Sequence, residues 1–151
     1  MRKVDRGEFY TGPGAYEDNP RGISYNATIS APHMHAYCLE WLKDWLKPEA
    51  KVLDVGCGSG YLCAAFYEML GGQGKVVGIE HIEGLAEFSS ENLGKSYSEP
   101  LSKGIIEIVC GDGRLGYEKY APYDVIHVGA AAESVPKALI EQLNSGGNCL
   151  W

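Results

Sequence analysis

The alternation of apolar and polar positions divides the chain into strands and helices in a regular order. "KVLDVG" (Lys51 to Gly56) is a β-branched run closed by glycine, which predicts a strand. "KVVGIE" (Lys75 to Glu80), "IIEIVCGD" (Ile105 to Asp112) and "YDVIHVGA" (Tyr123 to Ala130) predict three more. Between them, Tyr61 to Leu70, Gly84 to Leu93 and about Pro136 to Leu143 carry helical spacing. Ahead of the first strand, Met34, Tyr37, Cys38, Trp41, Leu42, Trp45 and Leu46 recur at three- and four-residue steps. They predict a helix with one apolar stripe, with Pro32 in its first turn and Pro48 past its end. "SGGNCLW" turns through two glycines into a fifth strand.

Strand and helix alternating at this spacing mean parallel strands joined by right-handed crossovers, an α/β doubly wound, mostly parallel sheet. One domain over residues 1–151 is expected, with an irregular segment at 1–26 rich in Gly, Pro, Tyr and charge, and an α/β core at 27–151. The fifth strand has no continuation, and an apolar strand at a sheet edge is a pairing hazard, so a core lacking its final strands is expected.

Thirteen basic against 20 acidic residues give a net charge of −7, which disfavours nonspecific binding to nucleic acid or an anionic membrane. "MRKVDRGEFY" has basic residues with no apolar run behind them, so no secretory signal is expected. Cys38, Cys57, Cys63, Cys110 and Cys149 are odd in number and form no CxxC pair, so reduced thiols and a cytosolic location are expected. No Cys/His cluster has metal-site spacing, and a monomer binding no metal is expected.

The chemistry concentrates in "LDVGCGSGYL", Leu53 to Leu62. Gly56, Gly58 and Gly60 follow a strand, where open parallel sheets bind ligands, although a plain strand-to-helix turn uses glycine as well. The spacing is G-x-G-x-G, with Tyr61 where dinucleotide binders place their third glycine, so nicotinamide-dependent chemistry is the less favoured reading. Asp54 before the turn would repel a pyrophosphate and suits a ligand with an ammonium group. Glu80, closing the second strand, is placed for two ribose hydroxyls, and Asp112 in "GDGRLG" for an adenine amine. A phosphate-free nucleoside with a cationic amino-acid tail describes S-adenosylmethionine. Each acid also has a bland reading as a strand end or an Asp-Gly turn.

"NATISAPHMHAY" (Asn26 to Tyr37) poses a separate question, whether Ser30 caps the helix or faces a substrate. His33 and His35 are two apart on a helix, point to different faces and make a poor metal pair. The bland reading of His33 is a packed or hydrogen-bonded side chain.

"YEDNP", "TISAPHMHAY", "LDVGCGSGYL", "VVGIEHI", "GDGRLGY", "APYDVIHVGAAA" and "ALIEQLNSGG" together resemble, in order and spacing, the protein-L-isoaspartate (D-aspartate) O-methyltransferases. The resemblance implies a Rossmann-like class I S-adenosylmethionine-dependent methyltransferase fold. It also implies methyl transfer to the carboxylate of L-isoaspartyl and D-aspartyl residues in damaged proteins, leaving S-adenosyl-L-homocysteine and starting repair. It implies that Ser30 is the active-site residue and that Ala27, Thr28 and Ile29 belong to a cofactor- and substrate-facing segment. His35, Ser59, Glu80, Asp112 and Gly113 match cofactor-contact positions, beside Asp54, Gly56 and Gly58 of the glycine turn. Members of the family extend further at both ends, so a cofactor-binding but inactive form stays open as an alternative, as does a small-molecule acceptor.

Overall fold

In the computed structural model, which describes residues 1–131 and 134–151, both faces of a parallel sheet are covered. The irregular N-terminal segment contains a 3-10 turn at Arg6–Glu8 and strand β1 (Arg21–Gly22), which pairs antiparallel with β2 (Thr28–Ile29). Tyr25 and Asn26 take left-handed backbone conformations in the connecting turn. The hairpin leans on the core: the Tyr25 ring fills the space a side chain at Gly84 would need, and Ile23 lies over Gly58.

There follow α1 (Pro32–Leu42), β3 (Lys51–Val55), α2 (Tyr61–Met69), β4 (Lys75–Glu80), α3 (Glu83–Ser96), α4 (Ser98–Ser102), β5 (Ile106–Cys110), β6 (Tyr123–Val128), α5 (Lys137–Glu141) and β7 (Leu143–Leu150). The sheet order β5-β4-β3-β6-β7 is parallel throughout, and the winding reverses between β3 and β6. The five predicted strands are all present. The last predicted helix is shorter than expected, because Leu143 already pairs with Tyr123 as the start of β7.

Two-residue alternation divides the strands between two cores. Val52, Val76, Ile106 and Val125 meet α1, α2 and the N-terminal segment through Leu42, Phe66 and Phe9. Leu53, Val55, Val77, Ile79 and Ile126 face the other way onto Leu139 and Tyr123. Burying one such Leu, Ile or Phe is worth roughly 1.5–3 kcal/mol. On the second face the short α5 packs through Leu139 alone, and a cleft opens beside it.

The predicted stripe on α1 is corrected. His35, Leu39 and Leu42 face inward, continued by Leu46 beyond the helix end, while Met34, Tyr37 and Trp41 are exposed. The helix turns this way because His35 stacks on Tyr61 of α2, with ring centroids 4.6 Å apart. A hydrophobicity count does not weigh a histidine as core.

The structure also decides how α1 is capped. Its N-cap is Ala31, with no capping bond from that side chain, and the His33 N–H donates instead to Asp18 Oδ1 at 2.9 Å. The His33 ring contacts the same oxygen at 2.8 Å, so His33 is a hydrogen-bonded surface group rather than a packed one. A residue fifteen positions upstream thus closes the helix, and the cap reading of Ser30 falls away.

Candidate active site

Three cavities run together along the carboxyl ends of β3 and β6, where open α/β sheets bind ligands. A cleft of about 540 Å³ is walled by Val55, Ile79, Val128 and Leu139, with Asp112, Gly113 and Arg114 at its rim. It meets a small cavity of about 50 Å³ at Gly56. Thr28, Ile29, Ser30, His35, Gly58 and Ser59 line that small cavity. Ser30, His35, Leu62, His127 and Gly129 also border a third, of about 410 Å³, whose far wall is Met34, Tyr37, Trp41 and Trp151.

The three acids lie at or just past the carboxyl ends of three neighbouring strands, and only Asp112 lines the cleft. Asp112 is exposed and holds Arg114, donor to acceptor 2.7 Å. The Arg114 side chain and backbone amide hold its carboxyl low, at about 2. Glu80 is 5% exposed. Its oxygens accept from the amides of Gly58 (3.2 Å), His81 (2.9 Å) and Ile82 (3.4 Å), and exposed His81 Nδ1 lies 3.0 Å away. Glu80 lines none of the three cavities and already accepts from three backbone amides, so it is not the open acceptor that its place at a strand end suggests. Glu80 is also the brace of the glycine turn.

Asp54 needs the larger correction. The residue is 1% exposed, and Oδ1 lies 2.7 Å from Nδ1 of His127, its direct neighbour in the β3–β6 register. Cys63 donates to Oδ2 at 3.4 Å. The carboxylate is therefore already balanced by a partner, and it borders the small cavity from behind that pair. Burial opposes charge on His127, but hydrogen bonds to Asp54 and Cys38 outweigh it and push the imidazole up to about 10.

His35 is the opposite case. Burial, reinforced by the nearby Arg6 guanidinium, holds it down at about 4, so its ring is neutral at neutral pH. Arg6 can only donate, at 3.5 Å to Nδ1, which puts the ring proton on Nε2. Arg6 is itself 5% exposed, and its Nε and Nη2 have no hydrogen-bond partner among the described residues.

The remaining expected residues fall as follows. Ser59 is buried, and its hydroxyl accepts from the Tyr61 amide at 3.3 Å at the start of α2. Ile29 belongs to the core, while Ala27 closes the hairpin by accepting from Ile23 and borders none of the three cavities. Gly113 has no room for a side chain against Val55. Sequence reasoning missed the part played by His127. Its signal was a histidine inside an otherwise apolar parallel strand, a position that demands a buried partner.

The profile of the protein-L-isoaspartate(D-aspartate) O-methyltransferases matches residues 1–151. The chain belongs to that family. A protein-L-isoaspartate O-methyltransferase of Caenorhabditis elegans is 53% identical over 99% of this chain and 66% of its own length. Protein-L-isoaspartate O-methyltransferase 1 of Arabidopsis thaliana is 52% identical over 97% of this chain and 65% of its own. The chain thus spans just under two thirds of the length of these relatives. A Plasmodium falciparum structure described as a putative protein-L-isoaspartate O-methyltransferase in complex with S-adenosyl-L-homocysteine superposes with a TM-score of 0.92. It is 35% identical, and the match covers 99% of this chain and 72% of that one. Among the described residues, no group of three or more potential metal ligands occurs and no helix is long and apolar enough to cross a membrane.

Proposed function

We propose that the chain transfers a methyl group from S-adenosylmethionine to the carboxylate of L-isoaspartyl and D-aspartyl residues in damaged proteins and peptides. The observation that carries this reading is the joining of an apolar cleft, through a glycine turn, to a cavity bordered by Ser30. The donor set suits the cofactor: apolar walls and Asp112 for an adenine, and Gly56, Gly58 and Ser59 for the amino-acid tail, with Glu80 behind His81 at the cleft edge for a ribose. The cofactor supplies an electrophilic methyl on a sulfonium, whose carbon–sulfur bond breaks as the acceptor oxygen takes the methyl.

The acceptor carboxylate is ionised near neutral pH, so no side chain has to remove a proton. What the residues supply is alignment and exclusion of water, worth on the order of 7–11 kcal/mol where alignment is good. Ser30, released from capping by Asp18, orients the acceptor with its hydroxyl. Ser30→Ala is expected to lower turnover about 10- to 100-fold, the worth of a hydrogen bond to a charged group. The melting temperature should move by less than about 2 °C, since no cap is lost. Unchanged turnover would remove Ser30 from the site.

Glu80→Ala is expected to weaken S-adenosylhomocysteine binding and to lower the melting temperature of the unliganded protein, because the Gly58 amide loses its acceptor. Calorimetric titration and a thermal melt read the two effects; a melt shift with intact affinity would make Glu80 a brace alone. The net charge of −7 and five free cysteines support a monomer working in the reducing cytosol. Incubation with isoaspartyl and normal aspartyl peptides tests the reading as a whole: methylation confined to the isoaspartyl peptide is expected, and equal methylation of both would overturn it.

A further inference from the structure

The cavity of about 410 Å³ beside Ser30 is lined by Met34, Tyr37, Trp41, Leu150 and Trp151 among other uncharged groups. Among the described residues its lining contains no Asp, Glu, Lys or Arg. His127 borders both this cavity and the small one next to the glycine turn, while Asp54, the partner of His127 at 2.7 Å, borders only the small one. Of the buried pair, the larger cavity therefore meets only the imidazole.

We propose that His127, held by Asp54, makes the larger cavity selective for an ionised carboxylate over a neutral acceptor. This rests on the methyl-transfer reading and adds to it the residue that selects the acceptor. His127 is exposed to the cavity beside Ser30, where the anion enters, and Asp54 lies away from it. In apolar surroundings an imidazolium attracts an anion more strongly than it would in water, even with its counter-ion on the far side of the ring. Methylation turns the carboxylate into a neutral ester, so the attraction is strong for substrate and vanishes for product.

The same reasoning fixes the kinetic signature. Charge on the acceptor is being lost in the transition state, so His127 holds the bound substrate at least as tightly as the transition state. Removing it should raise KM about tenfold and leave kcat within about threefold. A lower melting temperature is expected in either case, since Asp54 loses its partner, but a merely structural role would also lower kcat and cofactor affinity. The groups around the ring are Asp54 from β3, Cys38 and His35 from α1, and Phe66 from α2, whose ring lies 6.1 Å away.

The test is a calorimetric titration of the full chain, saturated with S-adenosylhomocysteine. The probes are a C-terminally amidated peptide with one isoaspartyl carboxylate and the same peptide carrying a carboxamide there. The wild type is expected to prefer the acid by about tenfold or more. His127→Gln should cut that preference to below about threefold with S-adenosylhomocysteine affinity retained. If that variant does not fold, Asp54→Asn keeps the ring but withdraws its counter-ion, and the same loss is expected. Full preference in a folded variant, or no preference in the wild type, overturns the inference while leaving methyl transfer standing. A wild type that binds neither S-adenosylhomocysteine nor peptide overturns the functional reading and this inference with it.

Discussion

Folding stability is expected to peak near pH 6.5 and to fall on both sides, with each of two histidines contributing at most about 1.4 kcal/mol per pH unit. The two limbs belong to two histidines that share one site. His127, raised from 6.5 to about 10, is protonated in the folded chain where the unfolded chain has released its proton. Its contribution is complete below about pH 6.5, the ordinary histidine value, and is lost as pH rises toward the folded value of about 10. His35, lowered from 6.5 to about 4, is neutral in the folded chain where the unfolded chain is protonated. Its contribution is complete above about pH 6.5 and is lost as pH falls toward about 4. Chemical denaturation at a series of pH values on both sides of the maximum measures both limbs. His127→Gln should flatten the alkaline limb and His35→Gln the acid one. Cys63 and the buried tyrosines Tyr97 and Tyr123, raised mainly through hydrogen bonding and burial, add losses at higher pH, so the His127 limb is read below about pH 8.5, the ordinary thiol value. A profile that stays flat for a full pH unit on both sides of neutrality would contradict the paired histidines.

The second large effect separates two glycines of one turn. Gly60 has φ +83, and a Cβ there would lie 2.6 Å from Ser89 Oγ and 3.2 Å from the Ser89 carbonyl. Gly60→Ala combines left-handed backbone strain with overpacking against α3, and is expected to cost about 2–4 kcal/mol of stability. Gly58 has φ +53, but a Cβ there meets only Ile23 Cδ1 at 3.8 Å and the Gly56 carbonyl at 3.9 Å. Gly58→Ala should cost about 1–2 kcal/mol from strain and should weaken S-adenosylhomocysteine binding by more than that loss implies. Denaturant melts and titrations of both variants check the contrast, and equal stability losses would contradict it.

The five strands and their winding were legible in the sequence because buried parallel strands announce themselves as β-branched runs between glycines. The glycine turn was legible for the same local reason. What escaped was made by distant partners. The cap on α1 comes from Asp18, across fifteen residues that no periodicity links. The face of α1 is set by His35 stacking on Tyr61, which outweighs the more hydrophobic Met34, Tyr37 and Trp41. Asp54 was read as a free carboxylate because its partner sits 73 residues later in β6. The helix after Gly84 was found but begins earlier and runs further, and the short α4 carries no periodic signal in five residues.

The central claim is that the glycine turn and its rim seat a nucleoside with an amino-acid tail. Titration of the full chain with S-adenosylhomocysteine, with NADH alongside, tests it most directly. The account predicts saturable one-to-one binding of S-adenosylhomocysteine, weakened in Gly58→Ala, and none of NADH. Tight binding of NADH, or a cooperatively folded chain that takes up no S-adenosylhomocysteine, would contradict it.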